Sequence, residues 1–355
     1  MHTVAPRSLS RRLALAGVGA LLLQPQAQAA TVDLADWLNY RSRFVQANGR
    51  VIDTGNGGQS HTEGQGWSML FAQRFNDRDS FERIHAWTQR VLRRPGDVLH
   101  AWRCKPGAGE VVDDLNNATD GDVFIAWALL EAGARWNDAK FLAEGTALAA
   151  DILRLLMRGH AGRHVLIPSL RGFEHSDYMV VNPSYYIFPA FPVLAAACPD
   201  PAWLKVAADG LDLLRIARFG RWGLTPDWLA ISSGTGEIRP APGWPVRFSF
   251  DAVRVPLYMT WAGLSAESAV VNPARWWADF SRRSQPAWVD LATGATSGYA
   301  APSGMAAIAT LTIAGAGGGG SARALPGVAQ AQDYYSAALT LLSRLAWADA
   351  GLQAT

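Results

Sequence analysis

Three acidic residues stand where a helix would begin, each among small or polar neighbours. Glu63 lies in Ser60-His61-Thr62-Glu63-Gly64-Gln65-Gly66-Trp67, and Asp120 in Asn116-Asn117-Ala118-Thr119-Asp120-Gly121-Asp122. Asp251 lies in Ser249-Phe250-Asp251-Ala252-Val253-Arg254. Two carboxyl groups facing each other across a cleft are the minimum equipment for hydrolysing a glycosidic bond. One must carry a proton for the leaving oxygen, and the other must stay ionised to activate water. In the inverting geometry the two stand about 6.5–9.5 Å apart, so that the water fits between base and sugar.

Each acid also has a structural reading. Ser60…Glu63 and Thr119…Asp122 fit the Ser/Thr-x-x-acid capping pattern, and Asp251 could cap a helix beginning at Ala252. Capping requires neither Gly64 and Gly66 nor a second acid two residues before Asp122, and such small neighbours would let a ligand approach the backbone. For the chemical roles, burial against Trp67 would raise the pKa of Glu63. Arg254, three residues after Asp251 on one helix face, would keep that carboxylate charged. No metal or organic cofactor is demanded by this scheme.

The elements that must hold these groups read as almost wholly helical. Apolar residues at three- and four-residue spacing mark helices near 34–46, 63–75, 78–93, 121–136, 138–157 and 185–197. Others follow near 202–217, 252–263, 267–283, 303–315 and 333–349. Loops rich in Gly, Pro, Asn and Asp separate them at 53–61, 105–117, 219–248 and 284–302. The one strand signal is a short hairpin around 229–247. With no fixed-period repeat, a single all-α domain built as a closed double ring of helices is expected rather than a solenoid.

Composition narrows the function classes. Of 355 residues 49% are hydrophobic and 17% charged, the profile of a folded globular chain. The formal net charge of +2 is far from the basic excess of a nucleic-acid binder, and it falls by three if Arg7, Arg11 and Arg12 are removed with residues 1–29. That segment reads as an export signal: paired arginines, an apolar run from Leu13 to Leu23, and an Ala27-Gln28-Ala29 cleavage pattern. The arginine pair resembles a twin-arginine signal. A cleaved signal at 1–29 and a catalytic domain at 30–355 are therefore expected, with the protein in the periplasm or secreted and no stable membrane insertion. The 15 tryptophans outnumber the 13 phenylalanines. Most would fill a wide helical core, and a few could stack on sugar rings. Cys104 and Cys198 do not make a disulfide framework.

Several segments together resemble glycoside hydrolase family 8. Ala118-Thr119-Asp120-Gly121-Asp122, followed by the apolar run Val123 to Ala132 and by Trp136, resembles the family signature. Glu63-Gly64-Gln65 is similar to its acid motif and Ser249-Phe250-Asp251-Ala252-x-Arg254 to its base motif. Asn182-Pro183-Ser184-Tyr185-Tyr186, Pro226-Asp227-Trp228 and Asp333-Tyr334-Tyr335 also match, over roughly residues 37–348. The resemblance implies an all-α (α/α)6 barrel and an inverting endo-β-1,4-glucanase. In it Glu63 would be the general acid and Asp251 the general base. It further implies that Asp120 holds the distorted sugar and Arg254 orients Asp251 or the water. Tyr185 and Tyr335 would hydrogen-bond nearby, and Trp102 would stack on a glucose ring. Within the family the resemblance is to the periplasmic endoglucanases that accompany bacterial cellulose synthases. A β-1,4-glucan chain is thus the implied partner, with a functional association with a cellulose synthase complex. Two departures stand out: Phe250 where the family often has Tyr before the base, and Arg103-Cys104 where that cellulase has a second tryptophan after Trp102. The same acid and base would also serve chitosan, xylan or mixed-linkage glucan. A non-catalytic glycan-binding subunit of a cellulose-secretion complex is the alternative of another class, and intact Glu63 and Asp251 argue against it.

Overall fold

In a computed structural model, residues 32–107, 109–280, 284–319 and 325–352 are described, so the expected export signal lies outside the described residues. The chain runs through α1 (Leu34–Phe44), α2 (Thr62–Arg74), α3 (Arg78–Val91), α4 (Thr119–Trp136), α5 (Ala139–Leu156) and α6 (Phe191–Ala197). It continues through α7 (Pro201–Ile216), α8 (Arg254–Trp261), α9 (Ser268–Asp279), α10 (Ser303–Gly315) and α11 (Tyr334–Asp349). Their burial alternates. In α2, α4 and α8 nearly every residue is buried, whereas α3, α5, α7 and α9 bury only a stripe. A helix buried all round belongs to an inner layer and an amphipathic one to an outer layer. The pairs follow in succession, α2 against α3 and α4, α4 against α5 and α6, α8 against α9, α10 and α11. The ring closes where α11 packs on α1. A 3-10 turn, Val328–Gln330, packs against α1 and α11 in the position of an outer helix. This is the (α/α)6 barrel.

The helix boundaries differ from the sequence reading at two places that matter for the site. The segment 185–197 is helical only from Phe191. Pro189 restricts the residue before it, and Asn182 instead caps a 3-10 turn, Pro183–Tyr185. The helix expected near 252 begins at Arg254, because residues 250–253 form a tight turn first. Strands are also more numerous than expected. Besides the hairpin Leu229–Ser232 with Ile238–Pro240, Met157–His160 pairs with Arg163–Leu166 through Ala161 (φ 47°) and Gly162 (φ 77°). Two successive positive φ angles match the twist of a two-residue hairpin loop. Runs of two to five residues are too short for alternation to register in sequence.

Close approach of the inner helices depends on glycine. A Cβ on Gly66 would meet the Cβ of Phe124 at 2.7 Å, and one on Gly64 would meet the Tyr334 hydroxyl at 2.8 Å. Gly121 is pressed against Thr62 in the same way. The expectation that Gly64 and Gly66 leave room for a ligand is therefore corrected: they let α2 pack against α4 and α11. Cys104, buried, and Cys198, partly buried, are both free. Among the described residues no helix is long and apolar enough to cross a membrane.

Candidate active site

Glu63 and Asp120 occupy the first turns of the two inner helices α2 and α4. Asp251 lies on the turn that leads into α8, and Arg254 is that helix's first residue. None of the three acids caps a helix. His61 is the N-cap of α2, its Nδ1 accepting from the Gly64 amide at 3.1 Å, and α4 has no side-chain cap. Asp122 instead accepts from the backbone and ring nitrogens of His100 and from Asn117. The capping alternative is thereby overturned for all three segments, and the carboxylates are free to face one another.

They converge on one guanidinium. Arg254 Nη1 donates to Glu63 and lies 3.3 Å from Asp120 Oδ2, while Nη2 donates to Asp251 Oδ1 at 2.5 Å. The Arg254 side chain is buried, with its guanidinium carbon 5.8 Å from the centroid of the Trp67 ring. One positive charge cannot balance three carboxylates in such a place, because removing charge from water is costly unless it is paired. The consequence falls on Asp120, whose pKa is pushed up to about 7 by burial and by the Glu63 charge, against the pull of Arg254. At mildly acid pH the cluster as a whole therefore holds a proton. Arg254 itself is held well above its ordinary value. Burial opposes its charge, but the surrounding carboxylates and tyrosines outweigh that.

The remaining expected residues ring this centre. Tyr185, at the end of the 3-10 turn, has its hydroxyl pKa raised by burial and by the Asp120 and Asp251 charges. Tyr335, in the first turn of α11, donates to the Phe250 carbonyl, immediately before Asp251. Trp102 sits beside α2, its carbonyl accepting from Thr62 N–H at 3.0 Å and its indole donating to Asp114 at 2.9 Å. One face of that indole is covered: the Arg103 guanidinium lies 4.2 Å from the ring centroid, held by Asp113. Arg103 thus stands against the ring that was expected to take a sugar.

Two groups carried no role in the sequence reading. Asp53, buried, lies 3.2 Å from His61 Nε2, and His61 Nδ1 is 3.9 Å from Glu63 Oε1. Burial alone would lower the His61 pKa, but Asp53, Glu63 and Asp120 together raise it. Asp227, also buried, accepts from the backbone of Ser249 and Ala252 and from the Ser249 hydroxyl. Its only sequence signal was membership of the Pro226-Asp227-Trp228 segment. Trp228 stacks with Phe173 (5.5 Å, 9°) and Trp244 (5.2 Å, 25°), and its ring is 6.3 Å from that of Tyr185. These rings form one partly buried aromatic cluster that reaches the site through Tyr185.

Comparison with known proteins bears on the family and the fold. The sequence profile of Glycosyl hydrolases family 8 matches residues 12–349. A probable endoglucanase of Novacetimonas hansenii is 43% identical over 313 residues, 88% of this chain and 90% of that one. The solved structure of an endo-beta-1,4-glucanase from Acetobacter xylinum superposes with a TM-score of 0.84 at 42% identity, covering 89% of this chain and 98% of the other. A family 8 endoglucanase from Klebsiella pneumoniae superposes at 0.83 with 38% identity, over 89% and 99% of the two chains.

Proposed function

The chain belongs to glycosyl hydrolases family 8, and from that premise we propose how it works: it is an endo-β-1,4-glucanase in which Glu63 is the acid and Asp251 the base. The observation that carries this assignment is the convergence of Glu63, Asp120 and Asp251 on Arg254 from three separate inner elements. Glu63 gives its proton to the glycosidic oxygen as the bond to the anomeric carbon breaks. A water attacks that carbon from the opposite face, and Asp251 takes the water's proton. The products are a new reducing end of inverted configuration and a free 4-hydroxyl. The cycle closes when Glu63 regains a proton and Asp251 loses one.

Arg254 orients Asp251 through the 2.5 Å contact and sets a positive charge beside the carboxylate that serves as base. Asp120 faces the same space from α4 and is placed to hold a hydroxyl of the sugar at the point of cleavage. Tyr335 steadies the base turn through the Phe250 carbonyl, and Tyr185 offers a hydroxyl close to the Asp120 and Asp251 charges. Export to the periplasm or medium is supported by the Arg11-Arg12 pair, the apolar run and Ala27-Gln28-Ala29. A functional association with a cellulose synthase complex rests on the sequence resemblance and would show as altered cellulose output when the gene is deleted.

The test is a panel of carboxymethylcellulose, mixed-linkage glucan, xylan and chitosan, read by viscosity and by reducing ends. A steep fall in viscosity of carboxymethylcellulose with few new ends, and α-anomers first by NMR, is the expected result. First-formed β-anomers would overturn the inverting scheme. Cleavage confined to xylan or chitosan would overturn the substrate.

A further inference from the structure

The base is carried on a turn closed by its own backbone, Val253 N–H donating to the Ser249 carbonyl and Arg254 N–H to the Asp251 carbonyl, both at 3.0 Å, and held from α11 by the Tyr335 hydroxyl on the Phe250 carbonyl. Residues 250–253 precede α8, and Asp251 is partly exposed at the cleft. A further grip on this turn comes from a loop distant in sequence. Asp227 Oδ1 accepts from Ser249 N–H at 3.0 Å and from Ala252 N–H at 2.7 Å, and Oδ2 takes the Ser249 hydroxyl. The two amides bracket Asp251 on either side. The loop is itself anchored, Asp227 N–H donating to the Arg247 carbonyl at 2.8 Å.

We propose that Asp227 is the positioning residue of the catalytic base: its carboxyl fixes the 249–252 turn so that Asp251 faces both Arg254 and the attacking water. The inference rests on Asp251 being the base. Asp227 is buried and acts through the 249–252 segment it holds. Its surroundings fit a neutral clamp. Burial and the Asp251 charge push its pKa up to about 7, and the segments it touches also carry Arg254, paired with Asp251, and Arg247, whose guanidinium lies over Trp288. A protonated Asp227 keeps both amide contacts on Oδ1 and meets the Ser249 hydroxyl with Oδ2. Asparagine reproduces that pattern, its amide oxygen accepting and its NH2 donating to the hydroxyl oxygen. The charge is therefore dispensable and the geometry is not.

The experiment compares kcat and KM on a soluble β-glucan for the wild type, Asp227→Asn, Asp227→Ala, Ser249→Ala and Asp251→Asn, with a thermal melt of each. Asp227→Asn should stay within about threefold of wild-type kcat. Asp227→Ala should lose roughly 10- to 100-fold in kcat with KM within about twofold, since displacing a reacting group by about 1 Å costs on that order. Ser249→Ala deletes one of the three contacts and should lose kcat severalfold at unchanged KM, a milder variant should the alanine at 227 not fold. A folded Asp227→Ala enzyme with wild-type kcat, a loss confined to KM, or an Asp227→Asn variant as impaired as the alanine would overturn the proposal. Asp251→Asn reports separately: wild-type turnover there would remove Asp251 as the base, whatever Asp227 does.

Discussion

Replacing Asp120 by asparagine removes a carboxyl whose pKa the fold has raised from 3.8 to about 7, and the cost of that shift can be read as stability. Between these two values the folded protein keeps a proton that the unfolded chain releases. Stability is therefore fully present below the unfolded pKa and declines as pH rises through the folded one, levelling off above pH 7. About three pKa units at 1.36 kcal/mol each give a ceiling of ~4 kcal/mol. The asparagine would mimic the protonated acid and escape this loss. At pH 8 the Asp120→Asn variant should be more stable than the wild type, and at pH 4 the two should be close. With about 2.1 cal/mol/K per residue over roughly 320 folded residues, ~4 kcal/mol corresponds to about 6 °C in Tm. Thermal melts of both proteins at pH 4, 6 and 8 test this, with the gap opening only at the higher pH values. The variant should at the same time lose most of its hydrolysis, which marks the carboxyl as retained for function at the expense of stability. A Tm difference that does not change with pH would refute the reasoning about the buried cluster.

Four further outcomes follow from the geometry. Gly66→Ala drives a methyl to 2.7 Å from Phe124 Cβ and should cost about 1–3 kcal/mol, seen as a lower Tm with the chemistry intact in the folded fraction. Arg103→Ala uncovers the Trp102 face now capped at 4.2 Å, and should lower KM for long soluble glucans severalfold without changing kcat. Tyr335→Phe leaves the Phe250 carbonyl without its partner and should reduce kcat roughly tenfold while the substrate affinity holds. Asp251→Ala should lose about 10²–10⁴-fold in kcat, on the scale of a general base. Azide, attacking the anomeric carbon in place of water, should restore turnover and leave a glycosyl azide of inverted configuration.

Much of this was legible in the sequence because the helices are long enough to show their period. The apolar spacing in 121–136 and 138–157 located α4 and α5 to within two residues at each end. The segments of the three acids, Arg254 and both tyrosines could be picked out as candidates in the sequence. Their convergence was not, because Glu63, Asp120 and Asp251 are brought together by contacts between α2, α4 and α8 that no local pattern encodes. The capping pattern misled for a physical reason. His61 is the N-cap of α2 and Ala118 that of α4, so Ser60 stands one residue before the cap position and Thr119 one residue after it. Asp227 did not stand out beyond its segment because its partners, the Ser249 and Ala252 amides and the Ser249 hydroxyl, lie 22 and 25 positions away. Arg103 was read only as a missing tryptophan, whereas the structure shows a cation seated on the remaining one.

The most direct test of the acid assignment uses the leaving group. A glucan leaving oxygen must be protonated to depart, whereas a dinitrophenolate leaves without help. Glu63→Gln should lose about 10²–10⁴-fold in kcat/KM on a β-1,4-glucan yet stay near wild type on a dinitrophenyl β-cellobioside, since only the first substrate needs the acid. Equal loss on both substrates, or no loss on the glucan, would contradict the account and remove Glu63 from the acid role.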